Sequence, residues 1–259
     1  MTTKVSIITT CFNAEKTIAE TIESIHANKG DFEIEHIITD AGSTDRTHEI
    51  VKSYGDKIKL IITPGLNQSQ GINYGLKIAT GEILTFLNAD DLYYPDTIQT
   101  VVNQFNNYPN RLWQIGFCPI IDENSIERDS WISTYKNFWI SNYNYFYLLL
   151  ENYICQPATF FRKKLLEENG YFSETENLCM DYEYWLRIGK KNKPIITKKA
   201  LAKFRRMQNT KSNSSFEIQF KDDKRIAIEY AKKHGFIGFE FLKYLFYLKT
   251  VLIYRRIYK

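Results

Sequence analysis

Four carboxylates define the chemistry open to this chain: Asp40, the adjacent pair Asp90 and Asp91, and Asp181. Asp40 closes the strand-like run Glu35 to Thr39, and Asp90 and Asp91 follow Ile83 to Leu87, a short apolar run rich in strand formers. In an open α/β sheet ligands sit beyond the carboxyl ends of the strands, which puts these three at the rim of a cleft. Two neighbouring carboxylates repel unless something positive lies between them, and a hard divalent cation held by oxygen ligands meets that need. Helix capping does not explain the pair, because the next helix opens later, at Pro95-Asp96. Asp181 stands at the N-cap of a helix whose Tyr182, Trp185, Leu186 and Gly189 share one face. Capping alone would account for it, and the pattern does not separate a cap from a general base.

The elements that must position these groups alternate along the first half of the chain. Lys4 to Thr10 reads as a strand with Cys11-Phe12-Asn13 as its turn, and from Ala14 a helix buries Ile18, Ile22 and Ile25. Ser43, Thr44 and Asp45 make a good start for a helix over Arg46 to Tyr54. A third strand, Lys57 to Ile62, ends at Thr63-Pro64-Gly65, and Asn67 to Thr80 carries Ile72, Leu76 and Ala79 on one helical face. The order β-α-β-α-β-α-β predicts a parallel sheet with right-handed crossovers. Such sheets often bind nucleotides, yet neither Gly-x-Gly-x-x-Gly nor a Gly-Lys-Ser/Thr loop is present, so phosphate charge must meet a metal or basic side chains.

With 259 residues, 44% of them apolar and only 12 Gly and 6 Pro, the chain can bury a sizeable core and is not a disordered one. Its 34 basic and 30 acidic side chains give a net charge of +4, too balanced to mark a nucleic-acid binder. Cys11, Cys118, Cys155 and Cys179 are widely spaced, which argues against a zinc site or a disulfide framework and fits a cytoplasmic protein. The chain enters a strand within a few residues, leaving no room for a signal peptide.

The runs Val5 to Asn13, Asp40 to Asp45, Gln68-Ser69 with Asn73 and Gly75, Ala79 to Glu82, Asn88 to Asp91, Gln156 to Arg162 and Met180 to Arg187 occur in order and at sensible spacing. Together they closely resemble the inverting family 2 glycosyltransferases of the GT-A fold, over about residues 4 to 212. The resemblance implies an α/β fold: an open, mostly parallel nucleotide-binding sheet flanked by helices. Residues 1–115 would form the nucleotide-sugar half of one domain and 116–215 the acceptor and catalytic-base half. It implies that Thr10, Phe12, Asn13, Asp40, Gln68, Asn73, Asn88 and Asp90 bind a nucleoside-diphosphate sugar, with UDP-sugars favoured. Asn88-Ala89-Asp90 matches an Asp-x-Asp motif with Asn in its first place, so that Asp90 and Asp91 would hold Mg²⁺ or Mn²⁺. Asp181 matches the general base. Phe204 to Ser212 is similar to an Arg-x-His-x-x-Ser-Lys element, with Met207 in place of His, leaving Arg205 and Lys211 as phosphate clamps. Gln70 and Tyr74 depart from the Asp and Lys common in related sequences, which leaves the donor sugar open.

The expected activity is therefore inverting, metal-dependent transfer of a sugar to a hydroxyl of a glycan or lipid-linked acceptor in bacterial surface polysaccharide synthesis. The competing class is a non-catalytic nucleotide- or sugar-binding module of the same fold. Aromatic residues crowd 92–150, and core packing is the commoner role for them than an acceptor groove. Residues 216–259 read as a helical tail, heavily apolar from Gly235, with Glu240, Lys243, Tyr247, Thr250 and Tyr254 as a narrow polar stripe. Its charges argue against a membrane span. A helix at the inner face of the cell membrane ending in Arg255-Arg256, or one docked on the catalytic domain or another subunit, fits instead.

Overall fold

The computed structural model describes residues 2–176, 178–206 and 216–257. The first half follows the predicted alternation: β1 (Thr3–Cys11), α1 (Ile18–His26), β2 (Phe32–Asp40), α2 (Thr47–Lys52), β3 (Ile58–Ile62), α3 (Gln68–Ile78) and β4 (Ile83–Phe86). A short β5 (Leu92–Tyr93), α4 (Thr97–Asn107), β6 (Trp113–Phe117), β7 (Ile120–Ile121) and β8 (Glu127–Arg128) come next. The second half continues with α5 (Ser130–Ser141), α6 (Tyr145–Leu150), β9 (Thr159–Arg162), α7 (Lys163–Asn169) and α8 (Met180–Gly189). It closes with β10 (Ile195–Ala200), β11 (Ala202–Arg205), α9 (Phe216–Lys233) and α10 (Phe239–Ile257).

Seven strands form the main sheet in the order β10-β6-β9-β4-β1-β2-β3. All neighbours pair in parallel except β9, which runs antiparallel to both β4 and β6. A smaller sheet, β5-β11-β7-β8, lies beside it. Residue 115 falls inside β6, so both halves of the chain share the large sheet.

The parallel strands are apolar on both faces because helices cover both. Ile18, Ile22 and Ile25 of α1 are buried, each side chain contributing about 1.5–3 kcal/mol relative to exposure. α3 opens with a capping box: the Asn67 side chain accepts from the Gln70 amide, and the Gln70 side chain bonds back to the Asn67 amide. Its Gly75 is required by close approach, since a Cβ there would stand 2.7 Å from Ile8 Cγ2 in the middle of β1. α8 buries Tyr182, Trp185, Leu186 and Gly189, the face expected from their spacing, with Trp185 stacked on Trp113 of β6. The tail is helical as expected and folds back as a pair, α9 against α10, packed on α6 and α8.

Candidate active site

The carboxyl ends of β1, β2 and β4 are adjacent in the sheet, and the loops leaving them are joined by side chains. Asp40 pairs across from Cys11 in register and is fully buried. Its Oδ1 accepts from the backbone N–H groups of Gly42 (2.8 Å) and Ser43 (2.7 Å), and its Oδ2 from Ser43 Oγ (2.6 Å) and Cys11 Sγ (3.1 Å). His48 Nε2 lies 2.9 Å from Oδ1. Burial by itself would raise the Asp40 pKa, but the hydrogen bonds from Ser43, Cys11 and His48 outweigh it and bring the group down to about 2. Asp40, expected at the nucleoside, thus spends its carboxylate in shaping the loop after β2.

Asn13 takes a left-handed backbone conformation (φ 50°), donates its N–H to Ser43 Oγ (2.8 Å) and accepts the Thr44 N–H on Oδ1 (2.8 Å). This turn leaves Phe12 61% exposed, a free aromatic face at the strand edge. Thr10, one residue before the end of β1, lies against α3, where a Cβ on Gly71 would meet its Cγ2 at 3.3 Å.

The β4 loop forms a relay of hydrogen bonds. Gln68 Nε2 donates to Asn88 Oδ1 (2.8 Å), and Asn88 Nδ2 donates to Asp91 Oδ2 (3.2 Å). Asp91 Oδ1 accepts the Arg205 backbone N–H at 2.9 Å. Asp91 is fully buried, and that burial, with the neighbouring Asp90 charge, pushes its pKa well up. Arg205 is 2% exposed and turned inward. Its guanidinium donates to the Asp90, Asp122 and Glu123 carbonyls, to Ser125 Oγ and to Glu20 Oε2 at 2.5 Å. The expectation of a phosphate clamp therefore does not match this geometry, because every arm of the guanidinium is occupied within the protein. The sequence carried no sign of Glu20 as its partner, since Glu20 sits on the polar face of α1. Lys211, the other expected clamp, lies outside the described residues.

For a divalent cation the donor set is lean. Among the described residues no three His, Cys, Asp or Glu side chains converge to hold one. Both Asp91 oxygens are engaged, whereas Asp90 is only partly covered, with burial raising its pKa. One carboxylate at a strand end fits an ion that completes its shell with water and ligand phosphate oxygens, as Mg²⁺ does, better than a closed protein cage.

Asp181 sits two residues past the N-cap, the position expected for it. Cys179 occupies that position and makes no side-chain cap, and Asp181 is the second residue of α8. Its Oδ1 accepts the Tyr182 N–H at 2.7 Å. Burial raises its pKa, opposed by that N–H and by the charge of Lys136 on α5. Asn73 is drawn into positioning: its Nδ2 donates to the Phe172 carbonyl (2.8 Å) and to Glu174 Oε1 (3.0 Å), and its Oδ1 accepts the Phe172 N–H (3.1 Å). Phe172 also meets Phe86 edge-on, with centroids 5.1 Å apart. These contacts bring the segment leading into α8 over the end of β4. Gln156 reaches the same edge, its Nε2 donating to the Phe86 carbonyl at 2.5 Å.

This arrangement has relatives. A glycosyltransferase of uncharacterised role from Rickettsia felis is 32% identical over 192 residues, covering 71% of this chain and 31% of its own length. The chain thus spans about a third of that relative. The minor teichoic acid biosynthesis protein GgaB of Bacillus subtilis is 35% identical over 112 residues, 41% of this chain and 12% of that one. The fold is shared with S. aureus TarS (residues 1–349, in complex with UDP-GlcNAc) at a TM-score of 0.64 and 19% identity, over 89% of this chain and 72% of that one. The sequence pattern of glycosyl transferase family 2 matches residues 6–170, from the first strand of the sheet to the end of α7. With the expected order of strands, loops and carboxylates in place, the chain belongs to glycosyl transferase family 2.

Proposed function

We propose that the protein transfers a sugar from a nucleoside-diphosphate donor, with UDP favoured, to a hydroxyl of a glycan or lipid-linked acceptor of the bacterial surface, with inversion. The observation that carries this is the placing of Asp181 at a buried helix start whose approach segment is held over the β4 edge by Asn73 and Phe86. Burial makes the Asp181 carboxylate a stronger proton acceptor than an ordinary aspartate. It takes the proton of the attacking hydroxyl as the acceptor oxygen bonds to the anomeric carbon, and the bond from that carbon to the diphosphate breaks on the opposite side. A single base acting on one face gives inversion. Thr10, Phe12, Asn13, Gln68 and Asn88 line the strand edge where the donor would lie. Asp90, beside Asp91, would hold Mg²⁺ or Mn²⁺, and the ion would supply charge neutralisation for the leaving group. TarS with UDP-GlcNAc and the teichoic acid protein GgaB support the choice of donor and of a cell-surface acceptor.

Thermal unfolding with UDP, GDP, dTDP or CDP, each with and without Mn²⁺, tests the reading. At about 100 times its dissociation constant the right nucleotide adds roughly 2.7 kcal/mol. Stabilisation by one nucleotide that depends on Mn²⁺ and is lost in Asp90→Asn is expected. Stabilisation by none of the four would sink the donor assignment and return the chain to a binding module of another kind.

A peripheral membrane position rests on a separate observation. Among the described residues no helix is long and apolar enough to cross a membrane. On α10, however, Phe241, Leu245, Leu248 and Leu252 recur at i, i+4, i+7 and i+11 and are all exposed, followed by exposed Arg255 and Arg256. An outward apolar row with basic residues at its end suits the surface of an anionic bilayer. Phe241→Glu with Leu252→Glu should abolish co-sedimentation with anionic liposomes, and unchanged sedimentation would refute the assignment.

A further inference from the structure

Except for Glu240, which pairs with Lys232 outside, the polar stripe of α10 faces inward. Lys243, Tyr247, Thr250 and Tyr254, with Phe220 of α9, wall a cavity of about 250 Å³ whose other side is α5 and the segment after α6. Aromatic side chains dominate it, Trp131, Tyr135, Tyr153 and Tyr247 among them. Two polar atoms in lining residues have no hydrogen-bond partner among the described residues: Asp223 Oδ1, in a residue 9% exposed, and Asn152 Oδ1. Both are acceptors. Buried acceptors without donors are costly, at about 1–3 kcal/mol each, unless a ligand supplies the missing hydrogens. Of the cavity's three lysines two are held by the protein, Lys243 Nζ donating to the Leu150 carbonyl (3.1 Å) and Lys249 Nζ pairing with Glu151 Oε2 (2.7 Å), and the third, Lys136, acts on the charge of Asp181. The unpaired oxygens of Asp223 and Asn152 call for donors, which hydroxyl groups provide and phosphates do not.

We infer that this cavity is a subsite for a neutral, hydroxyl-rich unit of the acceptor, its ring stacked on the tyrosines and its hydroxyls donating to Asp223 and Asn152. The site adjoins the proposed base. Lys136, which lines the cavity, acts on the Asp181 carboxylate, and Asp223 and Asp181 feel each other's charge. A unit held here precedes or follows the sugar whose hydroxyl is attacked. The inference rests on the glycosyltransferase reading above, and it assigns α9 and α10 to acceptor recognition.

Saturation-transfer NMR on the full chain with methyl glycosides of glucose, galactose and N-acetylglucosamine, and with octyl glucoside, tests it. Transfer to ring protons of at least one methyl glycoside is expected, weakened about ten-fold by Asn152→Leu through loss of one hydrogen bond and abolished by Thr250→Trp, which fills the space. Retained stabilisation by a nucleoside diphosphate verifies that each variant is folded and keeps the two readings separable. The subsite is overturned if no methyl glycoside receives transfer, or if both variants receive as much as the parent. It is also overturned if transfer reaches only the octyl chain, which would mark the cavity as a lipid pocket. Loss of nucleotide stabilisation in the parent protein would strike the glycosyltransferase reading instead.

Discussion

The sheet edge proposed for the nucleotide and the side proposed for the acceptor, beneath the C-terminal helices, are built on different principles. At the first, two carboxylates are satisfied by the protein itself: Asp40 accepts four hydrogen bonds besides His48, and Asp91 is closed off by Asn88 and the Arg205 backbone N–H. At the second, burial outruns pairing. Burial raises Asp181, and Asp223 to about 7, as it raises Asp90 and Asp91 on the first side, but here, among the described residues, Asp223 Oδ1 and Asn152 Oδ1 remain without donors. A site preset by its own hydrogen bonds needs no reorganisation when charge arrives. A site left short of donors is completed only by its ligand.

The largest effect that separates the two sides is on catalysis. Asp181→Asn should lower transfer by about 10²–10⁴-fold with nucleotide stabilisation intact, because the acceptor side loses its base and the donor side loses nothing. Near-normal turnover would reduce Asp181 to a structural residue. Arg205→Met should act the other way. It leaves Glu20 and the Asp90, Asp122 and Glu123 carbonyls without their partner, and should cost about 1–3 kcal/mol in urea unfolding through the acceptors left unpaired. A loss below about 1 kcal/mol would show that the guanidinium is not what holds the β4 loop.

Acid should then divide the halves. His36 in β2, hydrogen-bonded to Thr9 Oγ1 (3.0 Å), is depressed to about 3 by burial and by His26. A folded pKa below the unfolded value near 6.5 gives stability that is full above 6.5 and drains as pH falls towards 3. Between pH 6.5 and 4 this amounts to roughly 3 kcal/mol, a slope that His36→Gln should flatten in urea midpoints. The raised carboxyl of Asp223 contributes with the opposite sign: its share of stability is present in acid and falls as pH rises from about 4 to 7. An unchanged slope in His36→Gln would move the acid sensitivity out of the donor half.

The donor half was legible because its information is local. β1, β2 and β4 are short apolar runs covered on both faces, and each ends at a polar turn that sequence alone displays. β9 was not legible as an antiparallel insertion, since its four residues carry no mark of which strands they join. Arg205 looked available for phosphate because a basic run shows charge but not direction. Its partners lie as far as 185 residues away in sequence, on α1. The start of α8 was displaced for a related reason: Cys179 has little capping ability, so the eye moves to the next carboxylate, although Met180 is already helical. The polar stripe of the last helix was visible, but periodicity cannot say which face turns inward. Here Lys243, Tyr247, Thr250 and Tyr254 went in while Leu245, Leu248 and Leu252 stayed out.

That inversion makes α10 a spacer. If its outer row rests on a bilayer as proposed, the helix would hold the cavity behind it at a fixed height, about one helix diameter or 10–12 Å above the headgroups. Acceptors tethered to the membrane would then be ranked by reach. A hydroxyl too close to its anchor could not rise to the site, and one several sugars out would bend back past it, so the thickness of one helix would set how long the growing chain is when its next sugar is added.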